Sequence, residues 1–249
     1  MGSPKPTAAH VAEPRYVQGR AALKAFSGPP RTHVVAFTGG TTSQTLLAAW
    51  LSWQASMVSS DPEHAYELHH VSEPNMRDSP GTGRFQDELW FRASIRKVHV
   101  LLEIASRLPN GTAIVQTDLD VVPIRPYSRL PVPPRGMSFG IEGESSMGLC
   151  NTGFYAFRVS GETLGMLRRW VNASGPRFWP FADQSALAKL KMCNASLRFP
   201  RALVSGGEHG DIGAETVAFH ANGPRGWDNK RALLRTIVAR STLRLQPLP

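Results

Sequence analysis

The sequence predicts an α/β fold in which a mainly parallel central sheet is covered by helices on both faces. Short apolar segments rich in β-branched residues alternate along the chain with longer segments whose apolar residues recur every three or four positions. A crossover between parallel strands usually contains a helix, and such helices cover the two faces of the sheet. The alternation of strands with helices therefore predicts this architecture.

The first half of the chain opens this alternation with a strand, a glycine-containing turn and a helix. His33–Phe37 (HVVAF) predicts the strand and Thr38–Thr42 the turn. Ser43–Val58 has the apolar spacing of a helix. A strand near Ala65–Val71 and a loop over Ser72–Gly83 follow.

The rest of the chain repeats the pattern. Asp87–Arg107 predicts a long helix, which Pro109-Asn110-Gly111 ends before the next apolar strand. The remaining elements are strands near Ser138–Ile141, Gly153–Val159 and Val217–Phe219, and helices near Thr163–Asn172, Ala182–Lys191 and Asp228–Ala239.

These elements predict one domain over residues 31–240, with a polar leader over 1–30 and a peripheral tail over 241–249. A chain of 249 residues can bury a full core, and 41% hydrophobic with 19% charged residues is typical of a globular protein. No apolar run reaches the ~18–20 residues of a membrane-spanning helix. We therefore expect no transmembrane segment in this chain.

The net charge of +9 favours an anionic partner. Nucleic acid is not expected, because lysines and arginines are spread along the chain without a run of four or more and without a nucleic-acid-binding motif. A sugar nucleotide or an acidic glycan explains the charge equally well. The two cysteines, Cys150 and Cys193, allow one disulfide or two buried thiols, and their spacing is not that of a zinc site.

Two aspartates in the segment Thr112–Pro126 (TAIVQTDLDVVPIRP) are the first candidates for chemistry. Asp118 and Asp120 follow one apolar run and precede the apolar pair Val121-Val122. Carboxylates between apolar neighbours are costly to bury unless a positive group neutralises them, and a divalent cation with a bound phosphate does so. The alternative is a turn at the end of a strand with solvated aspartates.

Thr38-Gly39-Gly40 and Asp118–Asp120 both follow predicted strands. In an open α/β sheet, ligands bind outside the carboxyl ends of the strands, so both segments are expected at one edge of the sheet. The glycines would allow a nucleotide to approach the backbone closely. A tight strand-to-helix turn is the alternative reading of these glycines.

Three later segments accompany the Asp-x-Asp motif: CNTGFYAF at Cys150–Phe157, FADQSAL at Phe181–Leu187, and FHANGPRGWDNK at Phe219–Lys230. In this order, and over about His33–Leu234, the chain resembles the nucleotide-diphospho-sugar transferases of the GT-A type. More narrowly, it resembles the family that includes plant cell-wall xylosyl- and arabinosyltransferases and relatives in algae and algal viruses. The resemblance implies a GT-A fold and a glycosyltransferase activity.

The resemblance also implies a metal site. Asp120 would bind a divalent cation directly, Asp118 would bind the metal, the ribose or both, and His220 matches the third ligand. An imidazole added to carboxylates favours Mn²⁺ over Mg²⁺. Taken alone, His220 would more often be a hydrogen-bonded structural histidine.

Nucleotide-binding roles follow from the same resemblance. Lys230, with Arg225 as a second candidate, would face the diphosphate, and Asn222 would lie beside it. Arg96 and Lys97 are weaker phosphate candidates, of which one is expected to be a solvated helix position. The predicted nucleotide-binding residues are Thr38, Gly39, Gly40, Lys97, Asp118, Asn222 and Lys230.

The remaining candidates concern the sugar. Asn151 would hydrogen-bond a sugar hydroxyl, and Gly153 would leave room for it. Asp183 and Gln184 would lie beside the anomeric carbon as the catalytic pair, and Asp183 could equally be a helix N-cap, since both roles can hold together. Trp179 or Phe178 would stack on an acceptor sugar, and a core aromatic cluster is the alternative, which is expected at least for Phe181.

The predicted function is transfer of a sugar from a UDP-linked donor to a hydroxyl group of a glycan or glycoconjugate, with a divalent metal and with retention at the anomeric carbon. Two alternatives remain open at this point. One is a nucleotidyltransferase that acts on sugar phosphates, although Thr38–Thr42 lacks the lysine or arginine expected in its glycine-rich segment. The other is a catalytically inactive relative that binds carbohydrate.

Overall fold

The computed structural model describes residues 17–18, 31–39, 44–73, 88–141, 150–174, 182–192, 199–207, 212–222 and 227–243. The strands are β1 (Val17–Gln18), β2 (Thr32–Gly39), β3 (Tyr66–Glu73), β4 (Ala113–Thr117), β5 (Val121–Pro123), β6 (Met137–Ile141), β7 (Cys150–Arg158), β8 (Val204–Gly206) and β9 (Ala218–His220). The helices are α1 (Gln44–Ser59), α2 (Glu88–Ala105), α3 (Gly161–Ala173), α4 (Ala182–Lys189) and α5 (Trp227–Arg240).

Six strands form the central sheet in the order β1-β3-β2-β4-β7-β6. The pairings β1–β3, β3–β2 and β2–β4 are parallel, whereas β7 runs antiparallel to both β4 and β6. The predicted mainly parallel sheet is thus confirmed. The antiparallel pairings of β7 with its two neighbours thus set this edge of the sheet apart from the parallel part.

Helices cover both faces of this sheet, as predicted. Alternate residues of β2 face opposite sides: Val35 and Phe37 pack with α2, α3 and α4. Val34 and Ala36 pack with Trp50 of α1 on the other side. A third apolar cluster joins α1 to β5, β9 and α5.

A second sheet of three short strands, in the order β5-β9-β8, was not predicted. It begins with Val121–Pro123, directly after the Asp118–Asp120 turn, and pairs that strand antiparallel to β9. Strands of three residues are too short to show an alternating pattern, which is why the sequence analysis missed two of them. The sheet decides which residues of β9 lie beside the aspartates.

Most element bounds agree with the sequence analysis within two or three residues. Ser72 lies in β3, although it was expected to begin a loop. At the other end of the chain, Leu243 is buried and the Thr242 hydroxyl donates to the Ile124 carbonyl oxygen at 2.7 Å. Cys150 is disulfide-bonded, and Cys193 lies outside the described residues. None of the described helices combines the length and the apolar character that a membrane crossing requires.

Candidate active site

The two aspartates occupy the turn that joins β4 of the central sheet to β5 of the second sheet. The Asp118 amide donates to the Gly153 carbonyl oxygen at 2.7 Å, which continues the β4–β7 pairing by one residue. The Val121 amide donates to the Asp118 carbonyl oxygen at 3.3 Å and closes the turn. Asp120 is buried, whereas the Asp118 side chain is 35% exposed. The turn thus holds one partly exposed carboxylate and one buried carboxylate.

His220 reaches this turn because β9 pairs with β5. Val121 is the register partner of His220, and the Ala221 amide donates to the Asp120 carbonyl oxygen at 3.1 Å. His220 Nε2 consequently lies 3.2 Å from Asp120 Oδ1. Candidate ligand atoms of Asp118, Asp120 and His220 lie within 4.8 Å of one another. His220 is the last residue of its strand, not the residue after it.

Gly153 lies directly against the side chains of Asp118 and His220. A Cβ atom added to Gly153 would overlap the His220 ring at Cε1 and lie 2.7 Å from His220 Nε2 and 2.9 Å from Asp118 Oδ2. The Gly153 amide donates to Asn151 Oδ1 at 2.7 Å, and Asn151 is itself buried. Asn151 thus fixes the position of Gly153, and its predicted contact with a sugar hydroxyl stays a prediction.

Asp120 is held by two side chains. Lys230 Nζ, from α5, lies 2.6 Å from Asp120 Oδ2, and His220 lies at the other carboxylate oxygen. Burial alone would raise the pKa of Asp120, but the Lys230 charge and the neighbouring His220 hold it below the usual range. Burial likewise acts to lower the pKa of Lys230, and Asp120 reverses that effect and raises it. Both groups of this pair are therefore charged at neutral pH.

Lys97, from α2, links two further carboxylates. Its buried Nζ lies 3.2 Å from Asp118 Oδ1 and 3.6 Å from Asp183 Oδ2, and it donates to the Thr152 carbonyl oxygen at 2.9 Å. Burial acts to lower the Lys97 pKa, and the two aspartates raise it above its ordinary value. Arg96 instead pairs with Glu103 at 2.8 Å on the outer side of α2. Of the two basic residues, Lys97 thus lies between the aspartates, and Arg96 pairs on the outer side of the helix. A contact of Lys97 with phosphate stays a prediction.

Asp183 is the second residue of α4, so it does not precede that helix as an N-cap residue would. Its side chain is buried and accepts from the Thr152 hydroxyl at 2.7 Å and from the Gln184 amide at 3.0 Å. The Trp170 indole N–H donates to the Asp183 carbonyl oxygen at 2.9 Å. These contacts hold the start of α4 against β7. Lys97 lies between Asp183 and Asp118 and forms an ion pair with each of them.

Several buried polar atoms beside the aspartates have no hydrogen-bond partner among the described residues. They are His220 Nδ1, Gln184 Oε1, Asn222 Oδ1 and Gln116 Oε1. Buried polar atoms normally have partners, so atoms without one require an explanation such as a bound ion, water or ligand. Three of the four belong to residues predicted to bind metal, nucleotide or sugar.

The other predicted residues divide into two groups. Thr38 lies near the carboxyl end of β2, where its hydroxyl is 2.9 Å from His70 Nε2, and Gly39 ends that strand. Val35 of β2 is the partner of Gln116 in β4, so the ends of both strands reach the same edge of the sheet. Predictions for Gly40, Phe178, Trp179, Phe181 and Arg225 fall outside the described residues.

Two residues of the site were not predicted. Thr152 contacts both Asp183 and Lys97, and Gln116 Nε2 donates to Asp118 Oδ1 at 3.3 Å. Gln116 lies two positions before Asp118, on the same side of an extended chain, and this spacing could have identified it. Thr152 has no comparable signal, because its contacts involve residues far away in the chain.

The residues fit a divalent cation. The donor set of two carboxylates and one imidazole suits Mn²⁺, and the glycine at position 153 leaves the space between these donors open. Asp118, Asp120 and Asp183 bring three negative charges, against two positive charges from Lys97 and Lys230. One negative charge thus remains among these five side chains for a cation to balance.

Neither protein-family models nor curated protein sequences give a match to this chain. Solved structures do. A glycosyltransferase involved in the glycosylation of the major capsid of PBCV-1 matches with a TM-score of 0.54 and 12% identity, over 82% of this chain and 98% of that chain. The galactosyltransferase LgtC, in complex with donor and acceptor sugar analogs, matches with a TM-score of 0.49 and 12% identity, over 84% and 96% of the two chains.

The bifunctional glycosyltransferase WbbM matches with a TM-score of 0.49 and 10% identity, and this chain spans half of its length. At such identities the likeness bears on the fold alone. The first match, together with the central sheet and its flanking helices, agrees with the fold implied by the sequence resemblance. The protein has the α/β fold of the GT-A glycosyltransferases.

Proposed function

We propose that the protein is a metal-dependent glycosyltransferase that moves a sugar from a UDP-linked donor to a hydroxyl group of a glycan or glycoconjugate. The observation that carries this proposal is the convergence of Asp118, Asp120 and His220, whose ligand atoms lie within 4.8 Å of one another at the carboxyl edge of the sheet. The GT-A fold supports it, because ligands bind at that edge in open α/β sheets. Residues 31–240 would form the catalytic domain.

The donor side of the reaction would use the charged groups around Asp120. Asp118, Asp120 and His220 would hold Mn²⁺, or Mg²⁺, which supplies a Lewis acid for the diphosphate when bound. Lys230 Nζ lies 2.6 Å from Asp120 Oδ2, beside these ligands, and would bind phosphate oxygens as negative charge grows on the leaving group. Thr38, Gly39, Gly40 and Asn222 would contact the nucleotide.

The sugar side would use Asp183 and Gln184. The bond between the anomeric carbon and the diphosphate oxygen breaks, and a bond to the acceptor oxygen forms on the same face. The acceptor proton passes to the departing phosphate oxygen, so a strong general base is not required. Asp183 supplies negative charge and Gln184 Oε1 a partial charge toward the oxocarbenium-like transition state.

The acceptor would bind next to the sugar of the donor. Asn151, Gly153 and Trp179 would contact sugar hydroxyls or rings. The narrower resemblance to the family of plant cell-wall xylosyl- and arabinosyltransferases suggests a pentosyl or hexosyl donor. A glycan or glycoconjugate acceptor is also consistent with the glycosyltransferase of similar fold that is involved in the glycosylation of the major capsid of PBCV-1.

A panel of nucleotide sugars tests the proposal. Melting temperatures are measured for UDP and UDP-sugars with Mn²⁺ and, separately, with EDTA, because a ligand that binds the native state raises the melting temperature by mass action. We expect a rise with UDP and Mn²⁺ together that is absent with UDP and EDTA. Calorimetry that gives the same UDP affinity with and without Mn²⁺ would contradict metal-dependent binding.

The products of turnover then distinguish a glycosyltransferase from other proteins that bind the same nucleotide or sugar. We expect release of UDP from one UDP-sugar, accelerated by an acceptor glycan. Release of pyrophosphate from UTP and a sugar phosphate would instead identify a nucleotidyltransferase. Binding of sugars without either release would identify a carbohydrate-binding protein.

A further inference from the structure

We propose that His33, Glu67 and His69 form a second metal site, for a divalent transition ion of the Zn²⁺ type, separate from the Asp118–Asp120–His220 group. We call these three residues the His33 cluster. Their candidate ligand atoms lie within 4.8 Å of one another, as do those of the first group. The proposal does not depend on the glycosyltransferase activity proposed above.

The register of two parallel strands brings the cluster together. His33 of β2 is the partner of Glu67 in β3, and Val35 is the partner of His69. Residues 33 and 35, and residues 67 and 69, project on the same face of the sheet because side chains alternate along a strand. The three side chains therefore belong to one face of a continuous eight-residue pairing, which fixes their backbone positions.

The contacts within the cluster are close. His33 Nδ1 lies 2.7 Å from His69 Nε2, and the two rings stack with centroids 5.0 Å apart and planes inclined by 17°. His69 Nε2 lies 3.9 Å from Glu67 Oε1. The other carboxylate oxygen, Oε2, lies 4.0 Å from Arg31 Nη1. Glu67 thus presents one oxygen to the imidazoles and the other toward Arg31.

The donor chemistry suits a borderline-soft cation. His33 and His69 are both buried, and a neutral imidazole offers the lone pair of one ring nitrogen as a metal ligand. Two imidazoles and a glutamate are a donor set that binds Zn²⁺ in proteins, with a fourth position left open.

A metal would need only a small rearrangement. The 2.7 Å separation of the two nitrogens is that of an N–H···N hydrogen bond, whereas tetrahedral Zn²⁺ with Zn–N bonds of ~2.0–2.1 Å separates two nitrogens by ~3.3 Å. The rings would have to move apart by about half an ångström for the ion to enter. For both facing nitrogens to become ligands, the ring that donates this hydrogen bond must adopt its other tautomer.

The His33 cluster lies away from the candidate active site. His33 is the partner of Ile114 in β4, and Asp118 comes four residues later in the same direction. At a rise of ~3.3 Å per residue, the two groups are separated by ~13 Å along the strands. The sites also differ in preference, because the imidazole-rich cluster favours Zn²⁺ or Co²⁺ and the carboxylate-rich group favours Mn²⁺.

Titration of the metal-free protein with Zn²⁺ tests the proposal. The experiment uses the D120N/H220A variant, so that the first group no longer competes, and removes metals with EDTA before calorimetry. We expect one equivalent of Zn²⁺ to bind, and Co²⁺ to give the strong visible absorption of a tetrahedral site. The further change His69→Gln should weaken Zn²⁺ binding at least tenfold.

Two more variants control this result. His64→Gln alters a histidine at the same end of the sheet, whose Nε2 is 2.8 Å from the Thr32 hydroxyl, and should leave Zn²⁺ binding unchanged. Glu67→Gln keeps the shape of the side chain but removes its charge, and it serves if His69→Gln does not fold. Melting temperatures in EDTA report the folding of each variant.

Two outcomes would overturn the proposal. One is a folded D120N/H220A protein that binds no Zn²⁺. The other is Zn²⁺ binding that persists at the same affinity in folded His69→Gln and Glu67→Gln variants, which would place the ion elsewhere.

Discussion

Gly153 lies against the ring of His220, so closely that a Cβ atom at position 153 would overlap the imidazole carbon Cε1. The same atom would lie 2.9 Å from Asp118 Oδ2. The absence of a side chain at one position of β7 therefore allows a histidine from the second sheet and an aspartate from the central sheet to meet. The two sheets share this point of contact at the edge where the candidate metal ligands gather.

Gly153→Ala should therefore displace His220 and reduce Mn²⁺ affinity and turnover together. A contact this short forces the imidazole to move, because it is held on its other side by β5 and Asp120. The measurements are a Mn²⁺ titration and initial rates over a range of Mn²⁺ concentrations. Gly165→Ala is the matched control, since a Cβ atom at that position of α3 would meet nothing closer than Arg169 Nη1 at 3.9 Å. Equal losses in both variants would contradict this prediction.

Asp120→Asn should abolish most of the metal-supported turnover while the protein remains folded. The substitution keeps the size of the side chain but removes the negative charge that faces His220 and Lys230. Turnover is measured with saturating Mn²⁺, and folding by the melting temperature. Asp228→Asn, at an exposed position of α5, is the control. Unchanged activity of Asp120→Asn would show that the metal, if required, binds elsewhere.

The parts of the site that depend on short local patterns could be predicted from the sequence. Asp118 and Asp120 follow a strand, and His220 lies beside an apolar strand, so each was visible within a few positions. The fold was predicted for a similar reason, because the alternation of strands and helices needs no knowledge of distant contacts. The contact between these two segments was expected from the resemblance, not from the residues themselves.

The parts that were missed or left open depend on packing between distant segments. Lys97 appears in the sequence as one of two adjacent basic residues on a helix, and only the position of α2 against β4 and β7 distinguishes it from Arg96. Thr152 contacts Asp183 because α4 packs on β7. The strands β5 and β8, which were not predicted, have three residues each, and their pairing with β9 depends on segments that no periodicity connects.

Lys97→Met should destabilise the protein strongly. Its removal leaves the buried Asp183 and the partly buried Asp118 without the charge that lies between them. Loss of one partner of a buried ion pair costs about 3–5 kcal/mol. The free energy of unfolding is measured with urea at neutral pH.

The adjacent residue provides the control for this experiment. Arg96→Met removes an ion pair with Glu103 on the outer side of α2 and should cost at most about 1 kcal/mol. The double variant Lys97→Met/Asp183→Asn should recover part of the loss, because it also removes one of the unpaired charges. Equal effects of the two single variants would contradict a buried charge network.

The Asp120–Lys230 pair predicts a dependence of stability on pH. The pKa of Asp120 in the folded protein lies below its ordinary value near 3.9, so this group stabilises the fold above about pH 4 and loses that contribution as the pH falls further. In Lys230→Met, burial would dominate and raise the Asp120 pKa. The variant should then be less stable at pH 7, and its difference from the native sequence should shrink below about pH 4.

Chemical denaturation at a series of pH values checks this prediction. Lys191→Met, at an exposed position after α4, is the control and should show little change at any pH. A difference between Lys230→Met and the native protein that stays constant from pH 7 to pH 3 would contradict the assigned pair.

The position of Asp183 predicts how its loss divides between binding and catalysis. Its carboxylate is buried and held by Thr152, by the Gln184 amide and by the Lys97 charge, so its orientation does not depend on substrate. If it faces the anomeric carbon as proposed, its charge acts mainly on the positive transition state. Asp183→Asn should therefore lower kcat by two or more orders of magnitude and change KM little, the sign of an interaction made mainly in the transition state.

Two measurements separate this role from a structural one. Loss of the Lys97–Asp183 charge pair will lower the melting temperature of Asp183→Asn, so kinetics are measured well below that temperature and compared with Thr152→Val, which removes one hydrogen bond to Asp183 and keeps its charge. If the charge itself is what matters, Thr152→Val should retain far more activity than Asp183→Asn at a comparable loss of stability. NMR of the product of the native enzyme should show the anomeric configuration of the donor retained, because acceptor and diphosphate occupy the same face. An inverted product would require a general base on the opposite face, and the buried, lysine-paired Asp183 carboxylate would then have to act in that role or yield it to another acid.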